Sequence, residues 1–245
     1  PHVADVDEDG ALQDRPAPAG LHRTDDPELR PGGATTVLRV LLTNHFPLEG
    51  SGSGIYTSNV ARELTGAGHA ALTITPEHEA PGARPFETRW IRFGGEGGLA
   101  FDFPCFTTHP RSRTTFYELT EVQIEAYRSA WARAIDEAVR EFRPDLIHAQ
   151  HLWVATAVAL ETGLPVVATC HGTDLMGYDR DPRYHTFARR AASGAGRIVA
   201  ISRAIDRQVR EAFAGTVDPD RIRVVGNGFD DSLFRPTAED RAALR

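Results

Sequence analysis

Val37-Leu38-Arg39-Val40-Leu41-Leu42-Thr43 runs into Asn44-His45-Phe46-Pro47-Leu48-Glu49 and then Gly50-Ser51-Gly52-Ser53-Gly54. The first piece is apolar on consecutive positions, the pattern of a parallel strand covered on both faces rather than a strand with one wet side. After the glycine run, Ile55, Val60 and Leu64 fall at helical spacing. A buried strand, a glycine-rich loop and a helix in succession are the opening of an α/β fold.

The same alternation continues. Strands are predicted at Leu38–Leu42, Ala70–Thr75, Thr88–Phe93, Leu146–Ala149, Pro165–Thr169, Ile198–Ile201 and Ile222–Val225. Between them the clearest helix carries Ile124, Tyr127, Trp131, Ile135, Ala138 and Phe142 at three- and four-residue steps, with a polar face of mixed sign that suits water better than a membrane. Another has Ser202 as N-cap before Ile205, Val209 and Phe213. The expected fold is therefore a doubly wound, mostly parallel sheet of about seven strands, Rossmann-like.

Composition narrows the chemistry. All 27 basic residues are Arg, so lysine Schiff bases and Walker A loops are excluded. Residues 1–36 hold eight acids against three Arg and lack any helix or strand period, which reads as a polar tail. Beyond it, 26 acids face 24 Arg, too even a balance for phosphate-backbone binding, so no nucleic-acid partner is expected. No apolar run reaches the length of a membrane span. Two cysteines, Cys105 and Cys170, are too few for a disulfide scaffold and suggest a reducing, cytoplasmic setting.

Ligands of open parallel sheets bind beyond the carboxyl ends of the strands. The residues there are Thr43, Asn44, His45 and the glycine run; His148, Gln150 and His151; His171-Gly172-Thr173-Asp174; Ser202; and Asn227-Gly228. Gly52, Ser53 and Gly54 at a helix start would offer amide donors to a phosphate, although a flexible linker would have a similar composition. A dinucleotide fingerprint fits poorly. Glu77 sits where a ribose-binding acid would, but seven residues separate strand and glycines, which run G-x-G-x-G. The histidine spacing raises a zinc site, yet on a strand His148 and His151 would point to opposite faces, so no metal is expected. No nucleophile elbow is present.

These residues resemble family 4 glycosyltransferases of GT-B fold. The resemblance rests on Val40-Leu41-Leu42 with Pro47, Gly52-Ser53-Gly54, Ala61-Arg62-Glu63-Leu64 and Gly68-His69. It continues through Pro144 to Ala149, Pro165-Val166-Val167 with His171-Gly172-Thr173-Asp174, and Arg223-Val224-Val225 with Asn227-Gly228-Phe229-Asp230 and Phe234-Arg235-Pro236. It implies one half of a GT-B enzyme: residues 37–236 as the acceptor-side domain, and 237–245 as the start of a linker to a C-terminal donor domain that the chain lacks. A Glu-x7-Glu motif would lie there; the x7 spacing of Glu79 and Glu87 is taken as coincidence.

By that resemblance Gly52, Ser53 and Gly54 would meet the diphosphate of a nucleotide-sugar donor, His171 would be the catalytic histidine, and transfer would retain configuration without cofactor or metal. Such a chain alone would be inactive. The stretch Phe101–Tyr117, rich in aromatics and hydroxyls, is expected to overhang the acceptor side, with His109, Arg111 and Arg113 meeting a polar or anionic acceptor that His151 and Asp174 also bind. A loop merely pinned by Phe103, Phe106 and Phe116 fits the same residues. Acceptors from small molecules to envelope glycolipids of a high-GC bacterium are compatible. The remaining alternatives are a GT-B-like sugar-nucleotide epimerase or phosphorylase, and a non-catalytic sugar- or phosphate-binding module.

Overall fold

The computed structural model describes residues 36–228. Most of the expected polar tail, the linker at 237–245, and Phe229, Asp230, Phe234, Arg235 and Pro236 lie outside the described residues.

Seven strands are found among the described residues: β1 (Arg39–Thr43), β2 (Ala70–Glu77), β3 (Glu87–Arg92), β4 (Leu146–Gln150), β5 (Val166–Cys170), β6 (Arg197–Ala200) and β7 (Ile222–Val224). They form one sheet of order β3-β2-β1-β4-β5-β6-β7, every neighbouring pair parallel. The expected doubly wound fold is present, with strand ends shifted by one or two residues. β2 runs furthest past its predicted end, because Pro76 and Glu77 stay in register with Ile91 and Arg92 of β3.

The helices are α1 (Gly52–Gly66), α2 (Glu121–Phe142), α3 (Val154–Ala159), α4 (Thr173–Arg180), α5 (His185–Gly194) and α6 (Arg203–Ala212). Consecutive apolar residues of β1 serve opposite faces. Val40 and Leu42 pack with Ala61 of α1, while Leu41 joins Tyr127 and Trp131 of α2 in the larger core. α2 opens with a capping box in which the Thr120 hydroxyl accepts from the Gln123 amide and the Gln123 side chain accepts from the Thr120 amide. Its predicted apolar stripe is buried throughout. Ser202 caps α6 by accepting from the Ile205 amide at 3.2 Å.

The strand order reverses between β1 and β4, so the crevice for a ligand opens above their carboxyl ends. The segment from Phe101 to Tyr117 folds down beside it. Phe103, Phe106 and Phe116 are buried, each contributing roughly 1.5–3 kcal/mol by leaving water. Short bridges, Cys105 to Thr115 and His109 to Ser112, give the segment a shape of its own.

Candidate functional site at the carboxyl edge of the sheet

A cavity of about 390 Å³ sits above this crevice, walled by Gly50 to Ser53, His109, His151, His171 and Asn227. Residues that follow five of the strands, β1, β3, β4, β5 and β7, thus converge on one space.

The glycine run builds one wall. Ser51 caps α1, its hydroxyl accepting from the Gly54 amide at 3.0 Å, and the Ile55 amide donates to the Ser51 carbonyl at 3.0 Å. Two donors of the first turn remain, the amides of Gly52 and Ser53, which no hydrogen bond among the described residues engages. The three residues of the expected phosphate cradle therefore separate. A Cβ on Gly52 would meet nothing within 4 Å, whereas one on Gly54 would stand 2.2 Å from the Pro47 carbonyl oxygen. Gly54 is glycine because the turn after β1 presses against it; Gly52 is exposed and faces open space.

His171 follows β5 directly. Its Nε2 is 2.9 Å from Oε1 of Gln150, the last residue of β4, and the edge of Tyr56 from α1 packs on its ring with centroids 5.3 Å apart. Burial, with a smaller push from His148, lowers its pKa to about 4, so the imidazole is neutral at neutral pH.

His151 lies beside it, rings 4.9 Å apart, with its backbone at φ 70° although it is not glycine. Such a backbone is strained, and the neighbouring structure holds it: its amide donates to the Thr169 carbonyl at 2.8 Å and its own carbonyl accepts the Thr156 hydroxyl. Its Nδ1 is buried without a partner. His148 bonds Oγ1 of Thr169 at 2.8 Å and meets the same Tyr56 ring that packs on His171. Among the described residues no group of three or more His, Cys, Asp or Glu is arranged to hold a metal ion.

The other expected acceptor residues are placed as follows. His109 walls the cavity, but both ring nitrogens are engaged: Nε2–H donates to the Glu49 carbonyl at 3.2 Å, and Nδ1 accepts the Arg111 amide at 3.1 Å. Burial lowers its pKa, consistent with that neutral ring. Arg111 points away, forming a double hydrogen bond to the buried Glu77 at 2.9 and 3.2 Å in an adjoining polar cavity of about 370 Å³. Arg113 is exposed, with no ion pair found among the described residues. Asp174 is buried beneath the site. Its Oδ2 accepts the Leu152 amide at 2.8 Å and its Oδ1 accepts the Gly172 amide at 2.9 Å and the Cys170 thiol at 3.4 Å. Burial raises its pKa. Tyr56 and Phe46 are contacts that the sequence did not single out, because each reaches the site from a helix or turn rather than a strand end.

The comparisons with known proteins agree with this architecture. The model of Glycosyltransferase Family 4 matches residues 50–233. Among solved structures, sucrose-phosphate synthase from Thermosynechococcus elongatus superposes with a TM-score of 0.63 at 15% identity, over 84% of this chain and 52% of that one. HepE of Anabaena, in complex with UDP and glucose, gives 0.53 at 19% identity over 85% and 49%. The lipopolysaccharide outer core galactosyltransferase WaaB gives 0.51 at 11% identity over 78% and 46%. The chain thus spans about half the length of these structures. No curated protein sequence matches it. The matched segment takes in the glycine run, His171 and all strands from β2 to β7, and the sheet is one half of a GT-B fold; the chain belongs to glycosyltransferase family 4.

Proposed function

We propose that the full-length protein transfers a sugar from a nucleotide-diphosphate donor to an acceptor hydroxyl with retention, and that this chain is its acceptor-side half. The observation that carries this reading is the shared cavity: two unpartnered amides at the start of α1 and a neutral imidazole after β5 line one space at the switch point of the sheet. HepE, of similar fold, was solved with UDP and with UDP-glucose, which supports a donor of that class.

In this reading the acceptor oxygen bonds to the anomeric carbon on the face from which the diphosphate departs. The C–O bond to the diphosphate breaks with its electron pair going to phosphate oxygen, and that oxygen takes the acceptor's proton. The Gly52 and Ser53 amides stabilise the charge growing on the leaving group, already oriented before reaction. His171 positions a hydroxyl, and His151 shapes the floor beside it. A donor lobe supplied by the rest of the protein completes the site, so the 245-residue chain alone turns over no donor. No cofactor or metal is invoked. The acceptor is a small molecule or a glycolipid headgroup, met in the cytoplasm.

The test is a panel of nucleotide sugars and acceptors offered to the full-length protein, with products read by mass spectrometry and anomeric configuration by NMR. Expected is an acceptor heavier by one sugar residue, with matching release of nucleoside diphosphate. A sugar-nucleotide epimer, a sugar phosphate, or no consumption of any donor would overturn the reading.

A further inference from the structure

We infer that Gln150 is a positioning residue: it fixes His171 as the Nε2-protonated tautomer, so that Nδ1 meets the ligand as an acceptor for a hydroxyl hydrogen. The inference deepens the transferase reading, and only the nature of the ligand rests on that reading.

With Oε1 of Gln150 turned to His171 Nε2 at 2.9 Å, and the Gln150 Nε2 amide buried without a partner, the ring proton belongs on Nε2 and Nδ1 keeps the lone pair, because an amide oxygen can only accept. Gln150 is itself 0% exposed and does not line the cavity, so it acts through His171 rather than on a ligand. Its position is set by the sheet. Gln150 is in register with Thr169 of β5, and His171 is two residues further along that chain, on the same face. Tyr56 from α1 and His151 from the end of β4 hold the ring from its sides, and His148 is the remaining titratable neighbour. None of these is an acid, so nothing among the groups facing His171 favours its charged form. A neutral ring with its proton turned inward cannot donate to a substrate oxygen. It selects a hydroxyl that gives its hydrogen.

The tautomer is measurable on the chain labelled with 15N-histidine, by long-range 1H–15N correlation, with His171 assigned from its loss in His171→Gln. A protonated Nε2 with bare Nδ1 at neutral pH is expected; a protonated Nδ1, or exchange between both forms, overturns the inference. In the full-length protein, Gln150→Leu should lower kcat about 10- to 100-fold with donor KM little changed, as when an imidazole loses its orienting partner. Gln150→Glu keeps the acceptor oxygen and should recover part of that loss, while moving the acid limb of the kcat profile to higher pH because the carboxylate favours the imidazolium. An unchanged kcat in Gln150→Leu overturns the inference. Should Gln150→Leu fail to fold, the wild-type tautomer still decides. Should the full-length protein transfer nothing, the transferase reading falls while the NMR result stands by itself.

Discussion

Oδ2 of Asp174 accepts the backbone amide of Leu152 at 2.8 Å, so the first turn of α4 holds down the loop that leaves β4. The other oxygen holds Gly172, whose φ of 94° starts the same helix. Loss of the carboxylate orphans two backbone donors at a site where Asp174 is 1% exposed. Asp174→Ala should therefore cost about 1–3 kcal/mol for each orphaned group, seen as a lower Tm and lower denaturation midpoint. A variant as stable as the parent would show that water replaces the carboxylate there.

The glycine run supplies a paired comparison. Gly54→Ala must push a methyl against the Pro47 carbonyl, 2.2 Å away from an ideal Cβ, and should destabilise by about 1–3 kcal/mol or more. Gly52→Ala meets nothing within 4 Å and should leave Tm unchanged or slightly raised. On the proposed reading it should raise donor KM in the full-length protein, because the new methyl would stand in the path of the diphosphate. Equal donor KM in Gly52→Ala and parent would remove these amides from donor binding.

Arg111 and Arg113 separate by consequence. Arg111→Ala leaves Glu77, 4% exposed, without its guanidinium and should cost about 1–3 kcal/mol of stability, so any effect on activity is confounded. Arg113→Ala touches no ion pair among the described residues and should leave the Tm within about 1 °C, surface substitutions being nearly neutral. A raised acceptor KM in Arg113→Ala alone would assign that cation to the acceptor; an unchanged KM would leave the segment a pinned cover.

Acid should loosen the fold through the buried His45 and the half-buried His148 and His171. Burial pushes His45 to about 3 and His148 and His171 to about 4, while in the unfolded chain each titrates near 6.5. Their folded values are depressed, so below pH ~6.5 the unfolded chain takes up protons that the folded chain refuses. Stability is whole above that pH and falls as pH drops towards about 4, by about 1.4 kcal/mol per pH unit for each histidine. Thermal melts should show a Tm steady between about pH 7.5 and 6.5 and declining below it, with a shallower decline in His148→Gln. A flat profile down to about pH 5 would contradict the neutral burial of these rings.

The sheet was legible because its strands announce themselves locally: Val40, Leu41 and Leu42 are apolar in sequence and serve two faces in space. The site was legible as a set of strand ends but not in its division of labour. Nothing in Gly50-Ser51-Gly52-Ser53-Gly54 distinguishes the glycine forced by Pro47 from the one left open, since that depends on how the turn closes. The commitment of both His109 nitrogens and both Asp174 oxygens to backbone groups is likewise a tertiary fact. Gln150 stood among the strand-end residues, yet its importance depends on a partner 21 positions away. The left-handed backbone of His151 leaves no mark in the sequence, because histidine enters that region more readily than most residues yet is far more often found outside it.

His109 is bonded through both ring nitrogens. It joins Glu49 and Arg111, which line the polar cavity, to Gly50, which lines the ligand space, and a Cβ on Gly50 would already touch its ring at 2.9 Å. A single imidazole thus ties a wall of the ligand space to two residues of the polar cavity, and trimming it would free the Glu49 carbonyl and the Arg111 amide together.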